Sequence, residues 1–232
     1  MQVLNIFFLL VIFISPIFST AQAVEFDARD VRIDLPVLSM PNNAITPDIA
    51  SDNNDHVYIV WSDNRGGTAS IYANSFLPDK GWMNRAIQIN TGFPRASSQM
   101  GEATSPQVCA DNSGHIYVVW VDDRAEKAGT GKKDIYFRYS KDYGFSWYPE
   151  FTDVRLDTED VQNIIGDSIN PHAACDDNGN IYVVWEDNRN NSRRYEIYFR
   201  SFQVQFSKPT DFIIYYQTPD VRINTGVNSG DF

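Results

Sequence analysis

Three stretches of this 232-residue sequence are near-copies of one another, and that repetition limits the fold more than any other feature. Residues 47–65 read PDIASDNNDHVYIVWSDNR, residues 106–124 read PQVCADNSGHIYVVWVDDR, and residues 171–189 read PHAACDDNGNIYVVWEDNR. They align without a gap, and Trp61, Trp120 and Trp185 recur about 60 residues apart. After a variable loop, each unit carries a second shared stretch: SIYANS from Ser70, DIYFRYS from Asp134 and EIYFRS from Glu196. A third closes the unit: AIQIN from Ala86, DVRLD from Asp153 and DVRIN from Asp220.

Each unit reads as four strands, A to D, with strand A starting after the proline. The turns at Asp52, Asp111 and Asp176 are rich in Asp, Asn and Gly, which tolerate positive φ at little cost. Strand B is an unbroken apolar run such as Val57-Tyr58-Ile59-Val60-Trp61, the pattern of a strand buried on both faces. No 3.6-residue periodicity appears, which excludes helical solenoids. Four antiparallel strands per unit at this period define an all-β β-propeller blade, sandwiched between its neighbours. Asp30-Val31-Arg32-Ile33-Asp34 copies the strand D stretch, so the chain carries a spare outer strand ahead of three full blades. The expected organisation is 1–23, a signal peptide; 24–46, the spare strand and a linker; and three blades at 47–105, 106–170 and 171–232. The spare strand, and a last segment that stops where a further blade's proline is due, lead to the expectation of a longer, six-bladed propeller.

The signal peptide rests on an apolar run from Ile6 to Phe18, broken by Ser15 and Pro16 and followed by Ala21-Gln22-Ala23. The run is short of the ~20 residues a membrane span needs. The expected location is therefore secreted, periplasmic or at the cell surface, with no membrane span. The net charge of −11 repels phosphate backbones and excludes nucleic acid as a partner. Cys109 and Cys175 lie one position apart in register, on opposite faces of strand A. On that ground they are expected as two buried free thiols.

The stretch Ser140-Lys141-Asp142-Tyr143-Gly144-Phe145-Ser146-Trp147 follows strand C of the second blade. It resembles the Asp box, S-x-D-x-G-x-[ST]-W, of sialidase-like β-propellers. Asp142 suits backbone N–H groups in a hairpin, Gly144 a positive φ, and Trp147 a locking ring. The first blade has a degenerate version (Ser75, Asp79, Gly81, Trp82), and the third keeps only Ser201. The resemblance implies that Ser140, Asp142, Gly144 and Trp147 are structural and lie on the side away from the active site. It places the B–C loops and the D-to-A connections on the functional face.

The B–C loops open with W-x-D-x-R in all three blades, giving Asp63, Arg65, Asp122, Arg124, Asp187 and Arg189 as ligand-binding candidates. On one reading each Asp pairs with its own Arg and fixes the end of strand B. On the other, three arginines ring the mouth of a central channel and grip an anionic group. The 125–133 loop, AEKAGTGKK, is basic. A sialidase of this fold also needs a Tyr–Glu pair, an Asp acid/base and an Arg-Ile-Pro motif. Arg32-Ile33-Asp34-Leu35-Pro36 lacks the contiguous proline, and no position maps to the Tyr–Glu pair.

His56, His115 and His172 have no metal-ligand spacing, the Asp-rich turns lack the ligand count of a calcium loop, and no cofactor motif occurs. The function expected is a secreted β-propeller module that binds a carbohydrate or a cell-surface protein. The alternatives are a sialidase-type glycoside hydrolase with part of its site in further blades, and a structural repeat array. Self-association through exposed blade faces is expected of three blades alone.

Overall fold

The first aspartate of each turn starts its sheet. Asp52 Oδ1 accepts the backbone N–H groups of Asn54 and His56 at 2.8 and 3.2 Å, while its Oδ2 meets the His56 ring at 2.7 Å and accepts the Tyr58 hydroxyl at 3.0 Å. Asp111 repeats this with Ser113, His115 and Tyr117, and Asp176 with Asn178, Asn180 and Tyr182. Positive φ follows at Asp55, Gly114 and Gly179, and the hairpin closes. Successive turns are also joined. Asn53 N donates to Asn112 Oδ1 at 2.8 Å, and Asn112 donates to both oxygens of Asp177, at 3.1 and 2.6 Å.

The structure is a computed structural model and describes residues 30–34, 43–91, 101–124, 132–157, 166–190, 194–206 and 212–224. Arg32–Phe232 form one unit; of Met1–Val31, only Asp30 and Val31 are described, both exposed. The signal peptide and the 125–131 part of the basic loop lie outside the described residues.

Three antiparallel sheets follow one another. The first is β1 (Ala44–Ser51), β2 (Val57–Asp63), β3 (Ser70–Leu77), and an outer edge split into β4 (Gly81–Trp82) and β5 (Ile87–Gln88). The second is β6 (Ala103–Ala110), β7 (Ile116–Asp122), β8 (Asp134–Ser140) and β9 (Val154–Arg155), with a further bridge between Tyr139 and Tyr148. The third is β10 (Ser168–Cys175), β11 (Asn180–Asp187), β12 (Glu196–Phe206), β13 (Phe212–Tyr216) and β14 (Val221–Arg222). Each is a meander, and the three follow one another along the chain.

The sheets stack face to face through alternate residues of strand B. Ile116, Val118 and Trp120 pack with Tyr58, Val60, Ile71 and Ile89 of the first blade. Tyr117, Val119 and Val121 pack with Ile181, Val183, Trp185 and Phe202 of the third. All seven residues of β7 are therefore buried, whereas β11 alternates and leaves Tyr182 exposed.

Three expectations are corrected. Strand A begins three residues before each proline, so β1, β6 and β10 start ahead of the expected blade boundaries at 47, 106 and 171. A bulge makes this possible: the register shifts between Ile45 and Asp48, Thr104 and Gln107, and Ile169 and His172. Thr46, Ser105 and Asn170 take positive φ there, so the proline needs no ladder donor.

Second, Cys109 and Cys175 form a disulfide, with Cα atoms 5.9 Å apart, and are not two thiols. Cys109 belongs to the face of the second blade that meets the third, and Cys175 packs against the same cluster from the third. Blades stack front to back, so opposite faces of equivalent strands are the ones that meet. Third, Ser75 and Ser201 are not equivalents of Ser140. In the ladders they pair with Tyr58 and Tyr182, as Tyr139 pairs with Tyr117. The place of Ser140 belongs to Phe76 and Phe202.

Candidate functional site

The six W-x-D-x-R candidates build the same unit three times. The Asp accepts the backbone N–H of the Arg two residues on, at 2.8, 2.9 and 2.7 Å for Asp63, Asp122 and Asp187. It accepts the indole N–H of the preceding Trp at 3.2, 3.3 and 3.0 Å, and the guanidinium Nη2 at 2.5 Å each time. The three carboxylates are buried. Arg65, Arg124 and Arg189 lie over the rings of Tyr72, Tyr136 and Tyr198 at 4.3, 4.0 and 4.3 Å. Each guanidinium thus reaches from the end of strand B over the strand C tyrosine of its own sheet. The hydrogen-bonded Arg189 holds the Asp187 carboxyl below its ordinary range against the cost of burial, and Arg65 does so for Asp63. This is the pairing that fixes strand B.

The network continues to the outer strand. Arg124 bonds Asp153 at 2.7 Å and Arg189 bonds Asp220 at 2.8 Å. A strand C arginine faces each of these acids, with Arg138 3.8 Å from Asp153 and Arg200 2.7 Å from Asp220. Arg138 also donates to the Ile89 carbonyl of the blade before it, and Arg200 to the Leu156 carbonyl. In the first blade Asn74 stands for the arginine and Ala86 for the aspartate. Asn74 donates to the Ile33 carbonyl at 3.1 Å, and Arg65 to the Asp34 carbonyl at 3.0 Å. Residues 33–34 therefore take the place that strand D of a preceding blade takes elsewhere.

One position set in the second blade is charged out of balance. Arg155 bonds both Asp134, at 2.8 Å, and Asp157, at 3.0 Å, and both carboxyls are buried. The equivalents are Ser70, Gln88 and Asn90 in the first blade and Glu196, Arg222 and Asn224 in the third, each with no surplus charge. Burial, helped by Asp134 and opposed by Arg155, pushes the Asp157 carboxyl up to about 7. The folded chain then holds a proton that the unfolded chain has lost. This contribution to stability is complete below about pH 4, the unfolded value, and is lost as pH rises through about 7. Between pH 5 and 8, urea unfolding is expected to show a loss of roughly 3 kcal/mol that an Asp157→Asn chain lacks.

The B–C face itself carries features that the motif reading missed. The D-to-A connection is clamped by the residue just before each arginine. Asn64 Oδ1 accepts Asn43 N at 2.7 Å, Asp123 Oδ1 accepts Glu102 N at 2.5 Å, and Asn188 Oδ1 accepts Asp167 N at 2.6 Å. Gly101 and Gly166 precede the last two, and a Cβ there would lie 2.1 Å from Arg124 N and 2.5 Å from Arg189 Cα. The repeated Gly-Glu and Gly-Asp pairs were the available signal. Between the first and second blades this face opens into a cleft of about 230 Å³, lined by Asn43, Ile45, Ser62, Asn64, Glu102 and Thr104 among others. Glu102 is the one carboxylate among the lining residues.

The 140–147 turn lies at the other end of the blade. Ser140 Oγ donates to Asp142 Oδ1 at 2.8 Å and accepts Gly144 N at 2.9 Å. Asp142 Oδ1 also accepts Ser146 N, and the Trp147 indole donates to the Gly144 carbonyl at 3.1 Å. Tyr143 N donates to the Gly114 carbonyl, which ties this turn to the A–B turn of its own blade. His56 and His115 are held by Asp52 and Asp111, and His172 sits in β10. Among the described residues, no three His, Cys, Asp or Glu are grouped to hold a metal ion, and no helix is long and apolar enough to cross a membrane.

Fold and site together define an all-β protein of three four-stranded antiparallel sheets stacked face to face, with an open polar cleft on the B–C face. No protein-family model matches the sequence, and no curated protein does. Several solved structures are similar. An exo-1,5-α-L-arabinanase from a bovine ruminal metagenomic library shares 14% identity over 75% of this chain and 57% of its own, with a TM-score of 0.48. A family 117 glycoside hydrolase of the marine bacterium Zobellia galactanivorans shares 10% over 75% and 55%, at 0.47. A GH43 endo-arabinanase from Bacillus licheniformis shares 13% over 71% and 55%, at 0.43. The chain spans little more than half the length of each.

Proposed function

We propose that this chain is part of a secreted, six-bladed β-propeller module of the sialidase-like kind, and that it binds a neutral carbohydrate on its B–C face. The observation that carries the reading is the cleft between the first two blades. Its walls supply the amides of Asn43 and Asn64, the Thr104 hydroxyl and one carboxylate beside the apolar Ile45. Sugar hydroxyls need both donors and acceptors, and this set offers both with little net charge. The W-x-D-x-R arginines are consumed within their blades, which supports giving them a structural role and not that of an anion clamp. Two catalytic carboxylates are needed for ordinary glycoside hydrolysis. The lining of the cleft has one carboxylate and no tyrosine, so it holds neither such a pair nor the Tyr–Glu pair of a sialidase, which favours binding. The hydrogen-bonded 140–147 turn supports the sialidase-like kinship, and the strand D position of residues 33–34 supports a longer ring.

The test is a neutral-glycan array followed by calorimetry on the full chain, with hydrolysis of each bound glycan measured alongside. Glu102→Gln and Asn64→Ala are each expected to weaken binding by about 10-fold or more, the size of one lost hydrogen bond to a charged or well-placed group. Unaltered affinity in both variants, or turnover of the glycan, defeats the reading.

A further inference from the structure

A second groove, of about 450 Å³, lies at the outer rim on the side of the 140–147 turn. The first blade contributes Lys80, Trp82, Met83, Arg85 and Ile87, and the second contributes Phe145. We infer that this rim groove is a separate binding site for an acidic oligosaccharide of the uronic-acid type. This inference does not depend on the cleft of the B–C face.

Three observations carry it. First, the groove is built and does not come from stray loops. Trp82 is held by an edge-on contact with Phe76, ring centres 5.5 Å apart. The Met83 N–H donates to the Ser75 carbonyl at 2.9 Å, and the Lys80 N–H to the Leu77 carbonyl at 2.9 Å. Second, Phe145 is half exposed. It occupies the position of the turn between Gly144 and Ser146 that makes none of the turn's side-chain hydrogen bonds. The turn does not need an aromatic ring there, and a sugar's C–H face does.

Third, the groove is cationic within a chain of net charge −11. Arg32, Arg65, Arg124, Arg155, Arg189, Arg200 and Arg222 all bond carboxylates. Lys80 and Arg85 are exposed and make no ion pair among the described residues, and the Lys80 ammonium stands 5.9 Å from the Phe145 ring. Two cations beside two aromatic rings fit alternating carboxylates and pyranose faces. An acidic peptide would match the charges but has no flat apolar faces to lay on Trp82 and Phe145.

The experiment is titration calorimetry of the full chain with tri-galacturonic acid, maltotriose and hexaglutamate. Tri-galacturonic acid is expected to bind and to weaken as salt rises. Phe145→Ala and Arg85→Gln should each weaken it about 10-fold, and Lys80→Gln with Arg85→Gln should remove it. Arg85 is exposed, so its variant separates lost recognition from lost folding, with the unfolding midpoint as the control. The inference is overturned if tri-galacturonic acid does not bind, if maltotriose or hexaglutamate binds as well, or if Arg85→Gln binds as the parent does.

Discussion

An Asp122→Ala chain is expected to lose about 3–5 kcal/mol of folding stability, read as a fall in the urea midpoint at unchanged slope. Asp122 is buried in the central blade and accepts three donors: the Arg124 backbone, the Arg124 guanidinium and the Trp120 indole. Removing it orphans the first and third and leaves Arg124 with Asp153 as its remaining carboxylate. Both blade interfaces rest on β7, so the loss spreads to each neighbour. Stability is only about 5–15 kcal/mol for a domain, so the variant sits near the folding threshold. The same change at Asp63 should cost less, because Arg65 is more exposed than Arg124 and has no strand D acid. Equal losses at both positions would show that the outer network contributes nothing.

Reducing the Cys109–Cys175 bond, or replacing both residues by Ala, is expected to lower stability by about 4 kcal/mol. The bond closes a loop with a sequence separation of 66, and chain entropy sets the size of the effect. Urea unfolding with and without reductant measures it. A midpoint unmoved by reductant would mean that the two thiols are not joined in solution. The bond ties only the second blade to the third. Limited proteolysis after reduction should therefore open the interface of the second and third blades, left with its apolar cluster alone, and leave that of the first and second unchanged.

The blades were legible because three features repeat together: the turn aspartate, the apolar run and W-x-D-x-R. The pairing of Asp63 with Arg65 and its copies was one of two readings of the sequence, and the Tyr72, Tyr136 and Tyr198 rings under the arginines are a contact that no spacing along the chain reveals. The disulfide was misread because register along one strand says which face a side chain takes, but not which faces meet between blades. The true start of strand A was hidden because Thr46, Ser105 and Asn170 adopt a positive φ that their residue types do not advertise. Ser75 and Ser201 looked like Ser140 because the shared stretch is one residue longer in the second blade, and only the ladder shows where that residue goes. The cleft draws Asn43, Ser62 and Glu102 from three separate segments, and no local pattern marks such a convergence.

The Arg138–Asp153 pair and its uncharged counterpart, Asn74 with Ala86, bear on how such a chain descends from its own duplications. A copy that loses only the arginine leaves the acid with its second partner, as Arg124 holds Asp153, whereas one that loses only the acid takes the carboxylate from both arginines. Losing the arginine first is therefore the cheaper order, and the two positions are not free to change in either order. Recombination that moves a whole blade keeps the pair intact, and point drift within a blade does not. Family trees drawn from single blades should therefore show the arginine lost before the acid or on the same branch.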